Sequence, residues 1–285
     1  MVPRSKFQIN TTKDLYKLLA SEEPKFVRVL SSNRKAMQNV ITYQEVFQMI
    51  QTGELTPTVI NALQEFYGNK LAKDLANLYG AAIDAGIDLI ERNLKVFFSD
   101  ERDVFLAKYV LTRGANLVTR ITDEQKLGLK DVLMHYIVKE PLSPDDLATY
   151  IRANVGLTKR QMETLRRIAA ELRATGNDEK TIQKIILREA KRMHQWRAET
   201  IARTELANVY EHATNEMVVR SATELGLQGQ KQWLTAPDEL VCEICSEMNG
   251  VKVNLDSYFD LPNGQTVDTP PAHPNCRCTL LYELH

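Results

Sequence analysis

The chain has 285 residues, a length that fits one large or two modest domains. Hydrophobic residues make up 44% and charged residues 26%, which is ordinary for a globular protein with a sizeable core. The formal net charge of −1 excludes a uniformly polybasic nucleic-acid-binding protein.

The beginning of the sequence, MVPRSKFQIN, lacks the apolar stretch of a signal peptide. No run approaches the roughly 20 apolar residues that a membrane span needs. We therefore expect a protein that folds in a reducing cytosol and has no membrane partner. In such a compartment the four cysteines are more often metal ligands or catalytic groups than disulfides.

Charge is distributed unevenly along the chain. Residues 1–35 contain eight Lys or Arg and three Asp or Glu, and residues 157–204 contain twelve and six. Residues 228–285 contain three and eight. The basic 157–204 segment is either a solvated helix face or a surface that contacts the phosphates of DNA. The candidate DNA-contacting residues are Arg166, Arg167 and Arg173.

The first half of the chain predicts two regions. Residues 1–55 are weakly periodic, and we predict an N-terminal arm with one or two short helices. Residues 56–140 predict a helical region, because apolar residues recur there at steps of three and four. Thr56 before Pro57 marks the start of one long helix, since proline at the first helical position loses no hydrogen bond. The apolar face includes Leu63, Leu71, Leu75, Ile87, Ile90 and Leu94, and Gly80 and Gly86 are expected to bend the helix.

A further helical region is predicted over residues 141–228. Ser143 is placed to cap a helix that begins with proline and two acids. Thr158 and Gln161 form a capping box, and Gly176 follows as a C-cap glycine. Helical spacing then continues to about residue 225.

The period changes in the last region, residues 229–285. Short β-like runs such as QKQWL, GVKVNL and CTLLYEL are separated by turns, among them the hairpin signal Asn263-Gly264. We therefore predict a mainly α fold, with an elongated helical body and a small C-terminal α+β module stapled by a metal ion.

All four cysteines lie in this C-terminal module. Cys242 and Cys245 have the spacing that lets two thiolates bind one ion from a tight turn, and a histidine and two more cysteines follow in PPAHPNCRC. Four such soft donors suffice for tetrahedral zinc, which thiolate and imidazole favour over magnesium or calcium. A module of about 58 residues has a marginal core, so structural zinc would stabilise it. The candidate ligands are four of Cys242, Cys245, His273, Cys276 and Cys278.

Other uses of the cysteines are a reduced thiol cluster, a redox pair or catalytic zinc. Catalytic zinc needs an open coordination position and a nearby general base. The zinc deaminase signature is absent because no His-x-Glu occurs, and His-Glu-x-x-His is absent too. No Walker loop, Gly-x-Ser-x-Gly or Gly-x-Gly-x-x-Gly is present. We therefore predict that the protein is not an enzyme.

Several motifs together resemble one known family. They are IARTELANVYEHA at 201–213, KQWLTAPDELVCEIC at 231–245 and PPAHPNCRC at 270–278. In this order they resemble the phage minor head proteins, the Mu F-like head morphogenesis proteins. The resemblance covers about residues 145–285, and the combined motif is specific although each part alone is weak.

The resemblance implies a structural protein of a tailed bacteriophage. Such proteins enter the head in a few copies, associate with the portal protein and act in head morphogenesis and in DNA packaging or ejection. Expected partners are the portal protein, packaged double-stranded DNA, and scaffold or capsid proteins. The expected location is the virion, inside the head near the portal vertex, after assembly in the host bacterial cytoplasm.

The resemblance also assigns residues. It implies Cys242, Cys245, His273 and Cys276 as zinc ligands, with Cys278 competing for the last place. Residues 203–205 match the helical signature, and Arg203 and Glu205 cannot face each other on one helix, so each needs a partner elsewhere. Trp233 is predicted to be a core residue rather than a binding anchor. The implied structural or interaction residues are Arg203, Thr204, Glu205, Trp233 and Asp238.

Two rival functions remain at this stage. A zinc-containing nuclease or toxin-like enzyme delivered with the phage genome would need a hydrolytic site built from His273, Asp238 and Asp268. A free DNA-binding zinc-finger protein would need a basic module, whereas residues 228–285 are acidic.

Overall fold

The computed structural model describes residues 7–98, 104–106, 108, 115–140 and 142–285. The helices bounded within these residues are α1 (Thr12–Val40), α2 (Tyr43–Thr52), α3 (Pro57–Gln64), α4 (Lys70–Leu94), α5 (Ala115–Val138), α6 (Pro144–Asn154), α7 (Lys159–Ala174), α8 (Glu179–Leu225) and α9 (Glu243–Met248). The strands are β1 (Phe7–Asn10), β2 (Gly229–Leu234), β3 (Lys252–Asn254), β4 (Phe259–Asp260), β5 (Thr266–Val267) and β6 (Thr279–Leu284). The predicted mainly α fold class is confirmed. Among the described residues, no helix combines the length and apolarity needed to cross a bilayer.

The chain divides into two compact units, each made of separated segments. Unit 1 comprises Met1–Phe26, Ala76–Leu111 and Glu199–His285. Unit 2 comprises Val27–Leu75 and Thr112–Ala198. The four-part division expected from the sequence, at residues 1–55, 56–140, 141–228 and 229–285, stays a prediction.

The N-terminal segment contains more regular structure than the sequence suggested. Instead of one or two short helices, β1 is followed by the 29-residue helix α1, which accommodates Pro24 in its interior, and by α2. Leu15, Phe26 and Met37 are buried on α1 although polar residues surround them. Charged residues such as Lys17, Lys25 and Arg28 interrupt the apolar positions of α1, so the helical period is weak in the sequence.

The predicted long helix beginning after Thr56 consists of two helices in succession. Thr56 caps α3 by accepting a hydrogen bond from the Val59 N–H, and a π-helical turn, Glu65–Asn69, connects α3 to α4. Gly86 lies within α4, and a Cβ there would come within 2.7 Å of the Thr214 hydroxyl oxygen, so glycine permits close helix packing. Parts of the predicted helical region 56–140 lie outside the described residues.

The predicted helix caps in the second half are present. The Ser143 hydroxyl accepts from the Asp146 N–H at the start of α6. Thr158 and Gln161 form both hydrogen bonds of a capping box at the start of α7. Gly176 adopts a φ of 80° just after α7, a conformation that favours glycine. These local signals are reliable because each satisfies backbone groups that a helix end leaves unpaired.

A four-stranded antiparallel sheet has the order β1-β6-β2-β3, and β4 and β5 form a separate hairpin. Trp233 lies opposite Leu280 in the β2–β6 ladder, and both are buried. The C-terminal region therefore contains strands, as predicted. Residues 229–285 do not complete the sheet by themselves, however, because β1 pairs with β6 along Phe7–Asn10.

A buried histidine in unit 2 gives a testable pH dependence. His194 is 8% exposed, and its Nε2 lies 3.0 Å from the Ala153 carbonyl oxygen. Burial, together with the nearby Arg34 guanidinium, lowers the pKa of His194 from 6.5 to about 3. Because the folded pKa lies below the unfolded value, the contribution of neutral His194 to stability is complete above pH 6.5 and is lost as the pH falls towards 3.

We therefore expect unit 2 to lose about 2 kcal/mol of unfolding free energy between pH 7 and pH 5 through this residue alone. Urea unfolding of the wild type and of His194→Gln at both pH values measures the effect. The glutamine keeps a donor for the Ala153 carbonyl but does not titrate, so its pH dependence should be smaller by that amount. Equal pH dependence in both proteins would contradict the assignment.

Candidate metal centre

The first cysteine pair is positioned by the short helix α9. Cys242 is its N-cap, and the Cys242 sulfur accepts a hydrogen bond from the Cys245 N–H at 3.4 Å. This cap places the two sulfurs one turn apart on the same side of the chain. The Cys-x-x-Cys spacing therefore brings the two sulfurs together because Cys242 caps the helix that contains Cys245.

The second group of donors lies on the loop that leads into β6. The Cys276 N–H donates to the His273 carbonyl at 3.1 Å, which closes a tight turn. Asn275 within this turn has a φ of 61°, in the left-handed region that asparagine tolerates better than most residues. The turn directs His273 and Cys276 towards the first pair of cysteines.

The donor atoms of the two segments converge. His273 Nε2 lies 3.1 Å from the Cys242 sulfur and 3.2 Å from the Cys245 sulfur. The sulfurs of Cys245 and Cys276 are 3.8 Å apart. With zinc–sulfur bonds of about 2.3 Å, two sulfurs on a tetrahedral ion are also separated by about 3.8 Å. This Cys-rich cluster could therefore hold a metal ion.

Cys245 is the centre of the cluster. It belongs to one triad with Cys242 and His273 and to a second with Cys276 and Cys278, and within each triad all ligand atoms lie within 4.8 Å of one another. All five predicted donors are thus brought together.

The hydrogen bonding of His273 suits a metal ligand. Its Nδ1 lies 2.9 Å from the Pro274 carbonyl oxygen, which can only accept. The proton therefore belongs on Nδ1, and Nε2 presents its lone pair to the cysteine sulfurs. A second hydrogen bond of this kind commonly orients metal-binding histidines.

The thiols of the cluster influence each other strongly. Hydrogen bonds from Cys245 and Cys278 lower the pKa of Cys276, whereas the hydrogen bond to Cys276 raises the pKa of Cys245. One thiolate is thus stabilised by its neighbours, and further deprotonation would place like charges together. A divalent cation removes this repulsion and releases the remaining protons as it binds.

Cys278 is the donor next to the core. It is 4% exposed and directly precedes β6, the strand that pairs with β2. The hydrogen bond with Cys245 lowers the pKa of Cys278, but the interaction with Cys276 and burial outweigh it and raise the pKa to about 12. Trp233 itself is fully buried and packs edge-to-face on Phe259, as expected of a core residue.

Residues 200–204 of α8 hold the loop of the candidate metal site through Asn275. The Thr204 hydroxyl accepts from the Asn275 N–H at 3.0 Å, and the Thr200 hydroxyl accepts from its side-chain amide at 2.9 Å. Arg203 donates to the Asn275 side-chain oxygen at 3.4 Å and forms an ion pair of 2.7 Å with Glu23. Helix α8 is thereby joined to the loop between His273 and Cys276.

The other motif residues also find partners at a distance in sequence. Glu205 accepts a hydrogen bond from the Tyr79 hydroxyl at 3.1 Å. Asp238 receives both arms of the Arg277 guanidinium, at 2.5 and 2.6 Å, and this contact lowers the pKa of Asp238. Because Arg277 lies between Cys276 and Cys278, the pair connects the two donor segments.

Some of these partners were absent from the sequence prediction. Asn275, Glu23 and Tyr79 were not singled out, although Asn275 stands inside the HPNCRC motif. Its position between two ligands was the available signal. Nothing in the local sequence indicates that Glu23 and Tyr79 meet the 203–205 motif, because those contacts depend on tertiary packing.

The Asn275 contacts predict an effect on metal affinity. Asn275→Ala should weaken metal binding by roughly 10–100-fold, the usual cost of losing an outer hydrogen-bonding partner of a metal site. Competition with a chromophoric chelator measures it, and Asn263→Ala, on an exposed turn, is the matched control. Unchanged affinity in Asn275→Ala would show that the clamp does not orient the ligands.

The candidate DNA-contacting arginines lie in unit 2 and differ from one another. Arg167 has a side chain that is 72% exposed, and Arg166 approaches His135 at 3.4 Å. Arg173 is engaged internally, with Glu140 at 2.7 Å and Glu179 at 3.0 Å. Arg173 is thus engaged within unit 2, and DNA contact by any of the three arginines stays a prediction.

The fold and site together define a helical protein whose C-terminal region carries a cysteine–histidine cluster clamped to a long helix. Residues 151–281 match the family described as Phage Mu protein F like protein. The matched segment contains all five donors and the clamping residues of α8. The resemblance seen in the sequence is confirmed over this segment. No curated protein and no solved structure shows significant similarity to the chain.

Proposed function

We propose that this chain is a structural minor head protein of a tailed bacteriophage that associates with the portal protein and acts in head morphogenesis. The observation that carries the proposal is the family match over residues 151–281, which coincides with an internally clamped region. Its motif residues bind one another: Arg203 and Thr204 hold Asn275, and Asp238 holds Arg277. Motifs used in this way maintain a shape, which is what an assembly component requires.

The metal in this proposal is structural Zn²⁺. Cys242, Cys245, His273 and Cys276 would supply a closed tetrahedral set, and Cys278 would remain beside it as a buried thiol. Three sulfurs and one imidazole are a common donor set of structural zinc sites. The ion would neutralise the thiolates and cross-link α9 to the loop before β6.

The proposed partners are the portal protein, scaffold or capsid proteins, and packaged double-stranded DNA. The proposed location is inside the head near the portal vertex. DNA contact would involve Arg166 and Arg167 and would be independent of sequence and sensitive to salt. A role in packaging or ejection would follow from that location.

The rival nuclease is less well supported because its three residues are used elsewhere. Asp238 is held by Arg277, and Asp268 contacts Lys231. His273 directs Nε2 at two cysteine sulfurs. A hydrolytic site would require these groups to share a substrate, whereas each has its own protein partner.

Quantitative mass spectrometry of purified proheads and virions tests the structural role. We expect a few copies of the chain per particle, retained after nuclease treatment and enriched with the portal vertex when heads are disrupted. Absence from both particles would contradict the proposal. Incubation of the purified protein with DNA and Zn²⁺ or Mg²⁺ provides the test of the rival, and cleavage that is lost in His273→Ala would favour it.

A further inference from the structure

A buried lysine in unit 1 lies outside the metal centre. Lys231 on β2 is fully buried, which is rare for a lysine unless it has a specific partner. Its Nζ contacts the Asp268 carboxylate and lies 3.4 Å from the Asn215 side-chain oxygen. Asn215 belongs to α8 and is 5% exposed. An amine and a carboxamide are thus held together inside the protein.

The Asp268 carboxylate contacts both of these groups. One of its oxygens contacts Lys231 Nζ, and the other accepts from the Asn215 amide nitrogen at 3.1 Å. The Tyr282 hydroxyl donates to the Asn215 side-chain oxygen at 3.2 Å. The acid is therefore placed between a nucleophile and a potential leaving group, and the carbonyl oxygen between them is polarised by a donor.

One side of the cluster is apolar, whereas the Asp268 side is partly exposed and lies near His212. Lys231 Nζ lies 5.8 Å from the centre of the Phe259 ring, and Phe259 and Tyr282 are both fully buried. The Asp268 carboxylate is in contact with Lys231 Nζ and is therefore placed to accept the proton that the ammonium must lose before it can act as a nucleophile.

From this geometry we propose that Lys231 and Asn215 form an intramolecular isopeptide bond, with Asp268 as the catalytic residue. The bond would join β2 to α8 covalently. It requires no cofactor, oxidant or second substrate, because all reacting groups belong to the chain. The proposal does not depend on the metal centre or on the proposed role in the phage head.

The reaction balances as follows. Asp268 accepts a proton from the Lys231 ammonium, and the free amine attacks Asn215 Cγ to form the new Nζ–Cγ bond. The Tyr282 hydroxyl stabilises the charge that develops on the carbonyl oxygen. Asp268 passes protons from Nζ to Nδ2. The Cγ–Nδ2 bond breaks, the two protons lost by Nζ leave with the amide nitrogen as ammonium, and Asp268 returns to the carboxylate form.

Asn215 rather than Asp268 is the acylating partner for an electrostatic reason. The Asn215 carbonyl oxygen accepts a hydrogen bond from the Tyr282 hydroxyl, which polarises the carbonyl for attack, whereas Asp268 is needed as the proton carrier. Attack on Asp268 would release water instead of ammonia. The two products therefore differ in mass and in the peptides that they connect.

The wild-type full-length chain provides the decisive measurement. Its intact mass under denaturing and reducing conditions should fall short of the sequence mass by one ammonia molecule. After trypsin digestion, the 204–220 peptide should be joined to the 221–252 peptide, because the modified Lys231 resists cleavage. Separate 204–220, 221–231 and 232–252 peptides at full mass would overturn the proposal.

Variants and peptide mapping exclude other sources of the mass difference. Lys231→Met and Asp268→Asn should restore the full mass, whereas Lys252→Met, at an exposed lysine on β3 that pairs with Glu283, should keep the deficit. Succinimide formation at Asn263-Gly264 also releases ammonia, but it would leave Lys231 open to trypsin and would overturn the proposal. A deficit of one water with a 221–252 peptide joined through Asp268 would equally overturn the assignment to Asn215.

Discussion

Removing the metal ion should disorder the two donor segments while the sheet remains folded. Structural zinc binds small peptides with about 10–16 kcal/mol of apparent free energy, comparable to the net stability of a whole domain, about 5–15 kcal/mol. The sequence alone predicted that zinc would stabilise the whole C-terminal module. The structure limits the expected unfolding to the donor segments, because Trp233, Leu280 and Tyr282 are buried in a sheet that also includes β1.

Hydrogen exchange of the purified chain before and after chelation measures this effect. Residues 242–250 and 269–278 should lose protection, and the amides of β2 and β6 should keep theirs. Loss of protection throughout β2 and β6 would show that the ion also maintains the sheet. Chelation that releases no stoichiometric metal would refute the metal centre itself.

The proposed ligand set predicts which cysteine matters. Cys242→Ser and Cys276→Ser should each abolish stoichiometric zinc binding, because only three of the four ligands would remain. Cys278→Ser is the matched control and should retain one zinc per chain. It also replaces a buried cysteine by serine, but Cys278 is not one of the four proposed ligands. Elemental analysis of the three variants decides the set. Loss of zinc in Cys278→Ser with retention in Cys276→Ser would exchange their roles.

Local features of the fold were predictable from the sequence because they depend on neighbouring residues. The caps at Ser143 and Thr158 use a side chain and a backbone amide three positions away. The length of α1 was not predictable in this way, since its few buried apolar residues become informative only once their packing partners are known. The pairing of β1 with β6 joins opposite ends of the chain, and no local pattern specifies it.

The candidate site shows the same difference between features set by neighbouring residues and features set by long-range contacts. Soft donors at short spacing identify a metal cluster from the sequence, because their chemistry is specific. The roles of Asn275 and Lys231 depend on contacts with residues far away in the sequence, so the sequence does not reveal them. Arg173 was a reasonable DNA candidate by charge, but charge alone does not distinguish a solvated arginine from one enclosed by acids.

Arg173 forms the centre of a polar cluster in unit 2. It donates to Glu140 and Glu179, and to the Tyr150 hydroxyl at 3.0 Å. Its guanidinium also lies 5.7 Å from the centre of the Tyr136 ring. The side chain is 24% exposed, so these contacts are partly shielded from water. Removing the cation leaves two carboxylates close together without their shared partner.

We therefore expect Arg173→Met to lower the unfolding free energy of unit 2 by about 2 kcal/mol, less than the roughly 3–5 kcal/mol of a fully buried broken pair. Arg167→Met is the matched control, and its cost in unfolding free energy should stay below about 0.5 kcal/mol because the side chain is exposed.

The effects of these substitutions on DNA binding should follow the reverse order. Loss of Arg166 or Arg167 should reduce the salt dependence of affinity by about 0.9 per phosphate contact, whereas Arg173→Met should leave it unchanged. Urea unfolding and fluorescence anisotropy with duplex DNA at several salt concentrations measure the two effects. If Arg173→Met were as stable as the wild type, the internal ion pairs of Arg173 would contribute little to folding. If its DNA affinity also depended less on salt, Arg173 would contact DNA.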